Sequence, residues 1–253
     1  MRGWLGLYRT SVGLGLGYLA RHGYLREAVI RVVVPLDPSR YLELPETKRA
    51  LAAHPGERVL DLASPKLLAV QLAREGVDVT SADLFEEEVE RWRRLTARET
   101  NLRFEVADGR ALPYEDASFD HAYSISVLEH IPAPGDEEAL NELARVVKPG
   151  GRVVITLPHA AKAYDEHRDH ALYGGEDTFF QRWYDDIAVE RLAAAAPSLR
   201  LDSRKIACLQ PNLNTAYNRL FPWLIPFGPL FGVLARERVG PGGDVVRLTF
   251  SRR

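Results

Sequence analysis

Three aspartates recur at close intervals through the middle of this 253-residue chain: Asp61, Asp83 and Asp108. Asp61 lies in, and the other two directly follow, short apolar runs with strand character at 58–62, 77–82 and 102–107. A carboxylate at the end of a second strand can accept two hydrogen bonds from the vicinal hydroxyls of a ribose, and Asp83 suits that role. The same residue can instead cap the helix behind it. Asp108 can accept from the exocyclic amine of adenine, with Gly109 letting a ring approach; the alternative is an ordinary Asp-Gly turn. A fourth run, 119–126, carries Ser124 and is followed by His130. Histidine there can act as a general base, or it can pack and bond within the fold.

A second group follows the fifth run: His159, then Asp165, Glu166, His167, Arg168, Asp169 and His170. On a helix, His167 and His170 would share a face. No distant partner ligand is evident, so a solvated charged face is expected rather than a metal site. Tyr164, Tyr173, Phe179, Phe180, Trp183 and Tyr184 could wall a pocket, or pin a helix at 186–195 to the sheet.

These residues need a scaffold that brings strand ends together. Runs at 58–62, 77–82, 102–107, 119–126 and 152–157 alternate with helical patterns at 66–75, 86–98 and 136–147. The residues 148–151, Lys-Pro-Gly-Gly, read as a helix stop and turn. The strands are almost continuously apolar, as a parallel sheet covered on both faces requires. Strand–helix alternation then gives a doubly wound α/β sheet, whose ligands bind beyond the carboxyl ends of the strands. Hydrophobic residues at 46% and charged residues at 27% suit one domain with a sizeable core. A net charge of -2 gives no electrostatic hold on nucleic acid, so no nucleic-acid partner is expected. The lone cysteine, Cys208, excludes an intrachain disulfide and suits a cytoplasmic location; it reads as a small core residue.

The central region resembles the class I S-adenosylmethionine-dependent methyltransferases of the small-molecule type. The resemblance covers about residues 57–158 and rests on three segments in order: 111–120 (ALPYEDASFD), 127–131 (VLEHI) and 145–151 (RVVKPGG). It implies S-adenosylmethionine as cofactor and a Rossmann-like sheet of about seven strands with the last antiparallel. It also implies cofactor contacts from Asp61, Ala63, Ser64, Pro65, Lys66, Asp83, Leu84, Asp108, Gly109, Arg110 and Ser124. His130 and His170 are the candidate bases, and the acceptor is a small molecule.

The chain departs from the family at the loop after the first strand. Glycines belong there at the positions of Ala63, Pro65 and Leu67, and all three are absent. Ser64 as N-cap and Pro65 as first helical residue would start the next helix early. That helix end, with Lys66, could face the cofactor's carboxylate. A dinucleotide would have to press its pyrophosphate where Pro65 stands, so a nicotinamide cofactor is disfavoured. Loss of the glycines leaves an alternative: a methyltransferase-like binding or regulatory module without turnover.

Outside this core, residues 1–55 read as an N-terminal helical segment, interrupted by Pro35 and Pro38, preceding a methyltransferase domain at 56–253. Tyr18 stands where a small residue would precede signal cleavage, so this segment reads as mature sequence. Runs at 199–209 and 245–253 give the last two strands, with a helical insertion at about 211–238 between them. Its stretch 220–235 is too short and too proline-broken to span a bilayer. The N-terminal helices are expected to cover it; a lid over a lipophilic substrate or peripheral membrane contact is the alternative. The sequence does not specify an oligomeric state.

Overall fold

The computed structural model describes residues 3–21, 25–33, 40–168, 178–207 and 245–253. Three helices lead: α1 (Gly3–Arg21), α2 (Leu25–Val33) and α3 (Arg40–Leu51). Strands and helices then alternate as β1 (Arg58–Leu62), α4 (Leu67–Arg74), β2 (Asp78–Asp83), α5 (Glu86–Leu95) and β3 (Leu102–Val106). Next come β4 (Phe119–Ile125), a 3-10 turn (Leu128–His130), α6 (Gly135–Val146) and β5 (Val147–Pro158). The chain continues with β6 (Tyr164–His167), β7 (Phe179–Trp183), α7 (Asp186–Ala195), β8 (Leu199–Ala207) and β9 (Val245–Arg252).

The main sheet has seven strands in the order β3-β2-β1-β4-β5-β9-β8. The first five are parallel, and β9 runs antiparallel to both β5 and β8. The order reverses between β1 and β4, so a crevice is expected at their carboxyl ends.

Alternation along each strand sends neighbouring apolar residues to opposite faces. Leu60, Ala122 and Val153 pack with Leu140 and Leu143 of α6 and Val189 of α7. Val59, Tyr123 and Val154 pack on the other face with Leu68 and Leu72 of α4 and Trp92 of α5. Leu7, Leu14 and Leu44 join that second cluster, so the N-terminal helices share the sheet's core. Helix α5 shows why its sequence stays helical at a surface. Only Val89 and Trp92, three apart, are buried, while glutamates fill its first turn and arginines its last.

Two expectations are corrected. Residues 148–151 stop α6 but make no separate turn: they are already part of β5. The pairing with β4 jumps from Phe119–Val147 to His121–Arg152, so the four residues bulge outward, with Gly150 at φ +82°. The second correction concerns His167, which lies in a strand and not on a helix. Strand β6 pairs antiparallel with β7 in a two-stranded sheet the sequence reading did not anticipate. Alternating contacts fix it: Tyr164 stacks on Trp183, and Glu166 accepts from Trp183 Nε1 and Gln181 Nε2. Among the described residues no helix is long and apolar enough to cross a membrane. His170, Tyr173, Cys208 and the insertion at 211–238 lie outside the described residues.

Candidate functional site

Asp61 and Asp83 meet at the ends of β1 and β2 through Lys66, and Asp108 follows the neighbouring strand β3. Asp61 is fully buried near the end of β1, where its Oδ1 accepts from Ser64 N (3.2 Å) and its Oδ2 from Ser81 Oγ (2.7 Å). Burial pushes its pKa up, opposed by the Lys66 charge and by these hydrogen bonds. Asp83 closes β2. Its Oδ1 accepts from Phe85 N (3.2 Å), so it also holds the turn into α5. Its Oδ2 lies 2.9 Å from Lys66 Nζ, and the same ammonium is 3.9 Å from Asp61.

The loop that joins them is tied to the sheet. Ser64 Oγ accepts from Ile125 N (2.9 Å) and donates to Leu62 O (3.4 Å). Ser64 is therefore not an N-cap, and Pro65 is not helical. The helix begins at Leu67 after Lys66, whose side chain makes no cap and turns inward instead. Ser124 is fully buried and donates to Leu62 O (3.0 Å), bracing β1 against β4.

Ala63 keeps the backbone that a glycine would adopt freely, at φ +52°. A left-handed conformation carries a penalty of about 1 kcal/mol for a residue with a Cβ. Ala63→Gly is accordingly expected to stabilise the protein by about 0.5–1 kcal/mol, offset in part by greater unfolded-chain entropy. Urea denaturation measures this; a lower midpoint would show that the loop is unstrained.

Asp108 lies past β3 and is held by its neighbour. Arg110 donates from N to Oδ1 (2.9 Å) and from Nη2 to Oδ2 (2.6 Å). These bonds hold the Asp108 carboxyl below its ordinary range. Gly109 is closely packed: a Cβ there would lie 3.0 Å from Leu62 Cδ2, which would have to give by a few tenths of an ångström. Leu84 is 41% exposed beside this edge.

The other edge lies beyond β4 and β5. His130 ends the 3-10 turn, and its Nδ1 is 2.7 Å from Phe180 O. A carbonyl only accepts, so Nδ1 carries the proton and Nε2 presents its lone pair. Burial lowers the His130 pKa; the Phe180 carbonyl opposes this, and the Arg168 charge adds to it. Its ring meets Phe180 edge-on, and the Arg168 guanidinium lies over the Phe180 ring, 3.3 Å from its centroid.

Three residues here escaped the sequence reading. Glu129 is buried, its pKa pushed up to about 8 chiefly by burial and further by nearby Glu43. Its Oε2 has no hydrogen-bond partner among the described residues. Glu43 of α3 accepts from Ser126 Oγ (3.1 Å) and Thr156 Oγ1 (3.3 Å) and pairs with Arg40. Ser126 sits at φ +54° at the end of β4. Glu129 had a signal in the VLEHI segment; Arg40 and Glu43 had none, because only the packing of α3 brings them there. Two further described histidines have local partners. His159 Nε2 is 3.0 Å from Asp186, and His167 lies beside Thr178. Tyr184 donates to Asp136 Oδ2 (2.7 Å), pinning β7 to α6.

Comparison with known proteins places this arrangement in context. A family profile described as "Methyltransferase domain" matches residues 60–155. A demethylmenaquinone methyltransferase of Clavibacter sepedonicus is 40% identical over 127 residues, covering 47% of this chain and 51% of that protein. The chain thus spans about half the length of that curated relative. A demethylmenaquinone methyltransferase of Mycobacterium sp. (strain KMS) is 30% identical over 178 residues, 60% of this chain and 71% of its own. Among solved structures, an S-adenosylmethionine-dependent methyltransferase from Mesorhizobium loti superimposes with a TM-score of 0.57 at 18% identity. That superposition covers 82% of this chain and 96% of the other, and shows a shared fold.

Proposed function

Since the chain belongs to the class I S-adenosylmethionine-dependent methyltransferases, we propose that it methylates a small lipophilic acceptor, with His130 as the base. The carrying observation is the pair Asp61 and Asp83, which share one ammonium at 3.9 and 2.9 Å beside the point where strand order reverses. Two carboxylates that already accept a cation suit the hydroxyls and the ammonium of S-adenosylmethionine, so the donor set fits this cofactor. Asp83 would accept from the ribose hydroxyls and Asp108 from the adenine amine, with Leu84 and Gly109 against the ring. Asp61 and the loop 63–66 would receive the amino-acid end. The bound cofactor supplies a methyl group already activated by its sulfonium.

The protein's remaining task is to orient the acceptor, exclude water and take a proton. His130 Nε2 is the atom for that proton, since Nδ1 is committed to Phe180 O. Burial holds Glu129 at a pKa of about 8, so it is largely the neutral acid at pH 7 and adds little negative charge beside His130. Helix α3, through Arg40 and Glu43, closes over the ends of β4 and β5. The relatives' names, which specify demethylmenaquinone as the molecule methylated, support an acceptor of the same lipophilic class.

Calorimetry with S-adenosylmethionine tests the cofactor half. Asp83→Ala is expected to weaken binding by about 1–3 kcal/mol, the worth of lost charge-assisted hydrogen bonds. Unchanged affinity would mean that the ribose lies elsewhere. Transfer of a labelled methyl to demethylated isoprenoid quinols tests the acceptor half, and transfer only to polar acceptors would overturn it.

A further inference from the structure

We propose that Lys66 is a displaceable internal counter-ion: it fills the cation site between Asp61 and Asp83 and must leave Asp83 before the cofactor can bind. This rests on the cofactor placement above. Lys66 stands between two of the glycine-pattern positions, 65 and 67, and its side chain runs inward instead of out from the helix end. Only 5% of that side chain is exposed, against 0% for Asp61 and 9% for Asp83. The ammonium lies 2.9 Å from Asp83 Oδ2 and 3.9 Å from Asp61 Oδ2, yet among the described residues Nζ has no well-aligned hydrogen-bond partner.

That combination distinguishes a placeholder from a structural bridge. A permanent buried pair holds its charges through well-aligned hydrogen bonds, because Coulomb attraction alone barely offsets desolvation. The acids here are better anchored than the lysine. Asp61 is held by Ser64 N and Ser81 Oγ, and Asp83 by Phe85 N. The acids are thus preorganised for a partner, while the long flexible lysine stem can swing to solvent. Its departure leaves two negative groups facing a ligand that brings both hydroxyls and a cation. The cofactor therefore replaces one positive charge with another, and its apparent affinity is reduced by the fraction of molecules in which Lys66 is out.

The test is calorimetric titration of S-adenosylmethionine and S-adenosylhomocysteine into the wild-type chain, Lys66→Ala and Lys66→Met. The methionine variant retains the apolar stem if the alanine variant fails to fold. If Lys66 leaves Asp83 in about one molecule in ten, its removal tightens both ligands on the order of tenfold. The unliganded variants should also melt at a lower temperature than wild type, since two buried acids lose their counter-ion. Tighter binding with lower free-state stability is the signature of a displaced placeholder. Weaker or unchanged binding by a folded variant, with wild type still binding, overturns this inference alone and makes Lys66 a ligand contact or a bystander. If neither wild type nor variants bind, the cofactor placement fails as well.

Discussion

His130→Ala is expected to lower the methyl-transfer rate by about 10²–10⁴-fold, the usual worth of a positioned general base. Cofactor affinity should hold within about 0.5 kcal/mol, because the hydrogen bond and ring contact of His130 run to Phe180 and not to the strand-end aspartates. The pH dependence follows from protonation state. Only neutral His130 can accept a proton at Nε2, and burial lowers its pKa below the ordinary value of 6.5. Activity should therefore be full at neutral pH and fall as pH drops through that lowered pKa. Steady-state kinetics across pH 5–8 with a saturating acceptor checks both statements. A rate unchanged by the substitution would remove His130 from the chemistry and leave it the packed histidine that its contact with Phe180 also permits.

The second large effect is on stability. At Gly151, an added Cβ would stand 2.2 Å from Asp120 O and 2.5 Å from Val147 Cγ1. The carbonyl belongs to β4, and Lys148 Nζ (2.6 Å) and Arg58 N (2.8 Å) bind the same aspartate's carboxylate. The bulge cannot yield without dislodging that clamp. Gly151→Ala is thus expected to destabilise by about 3 kcal/mol, the upper range for overpacking. Gly150→Ala is the internal control: the position has φ +82° but open space around it, so the penalty is about 1 kcal/mol of backbone strain. Urea unfolding of both variants gives the comparison, and equal midpoints would show that the bulge is looser than its geometry implies.

What the sequence determined by itself was the part set by periodicity and composition. Apolar runs of strand length, separated by helical patterns, specify a parallel sheet with helices on its faces, because such strands must be buried on both sides. The three motif segments added the family, and the strand ends located Asp61, Asp83 and Asp108. These readings depend on near neighbours in the chain, where pattern and structure coincide.

Tertiary structure decided everything that depends on which way a side chain turns. Ser64-Pro65 has the local chemistry of a helix start, yet the Ser64 hydroxyl bonds Ile125 N across sixty-one positions of chain and the helix waits until Leu67. Lys66 could point outward at a ligand carboxylate; the two buried acids draw it inward. His167 lies in a charged run with no strand signature, and only pairing with Phe179–Trp183 makes it strand. Arg40 and Glu43 reach the crevice because α3 packs across β4 and β5, a contact between distant segments that no local pattern records. The physical reason is common to all four. Hydrogen bonding, strand pairing and charge pairing are settled by what lies opposite in space, and spacing along the chain does not specify that partner.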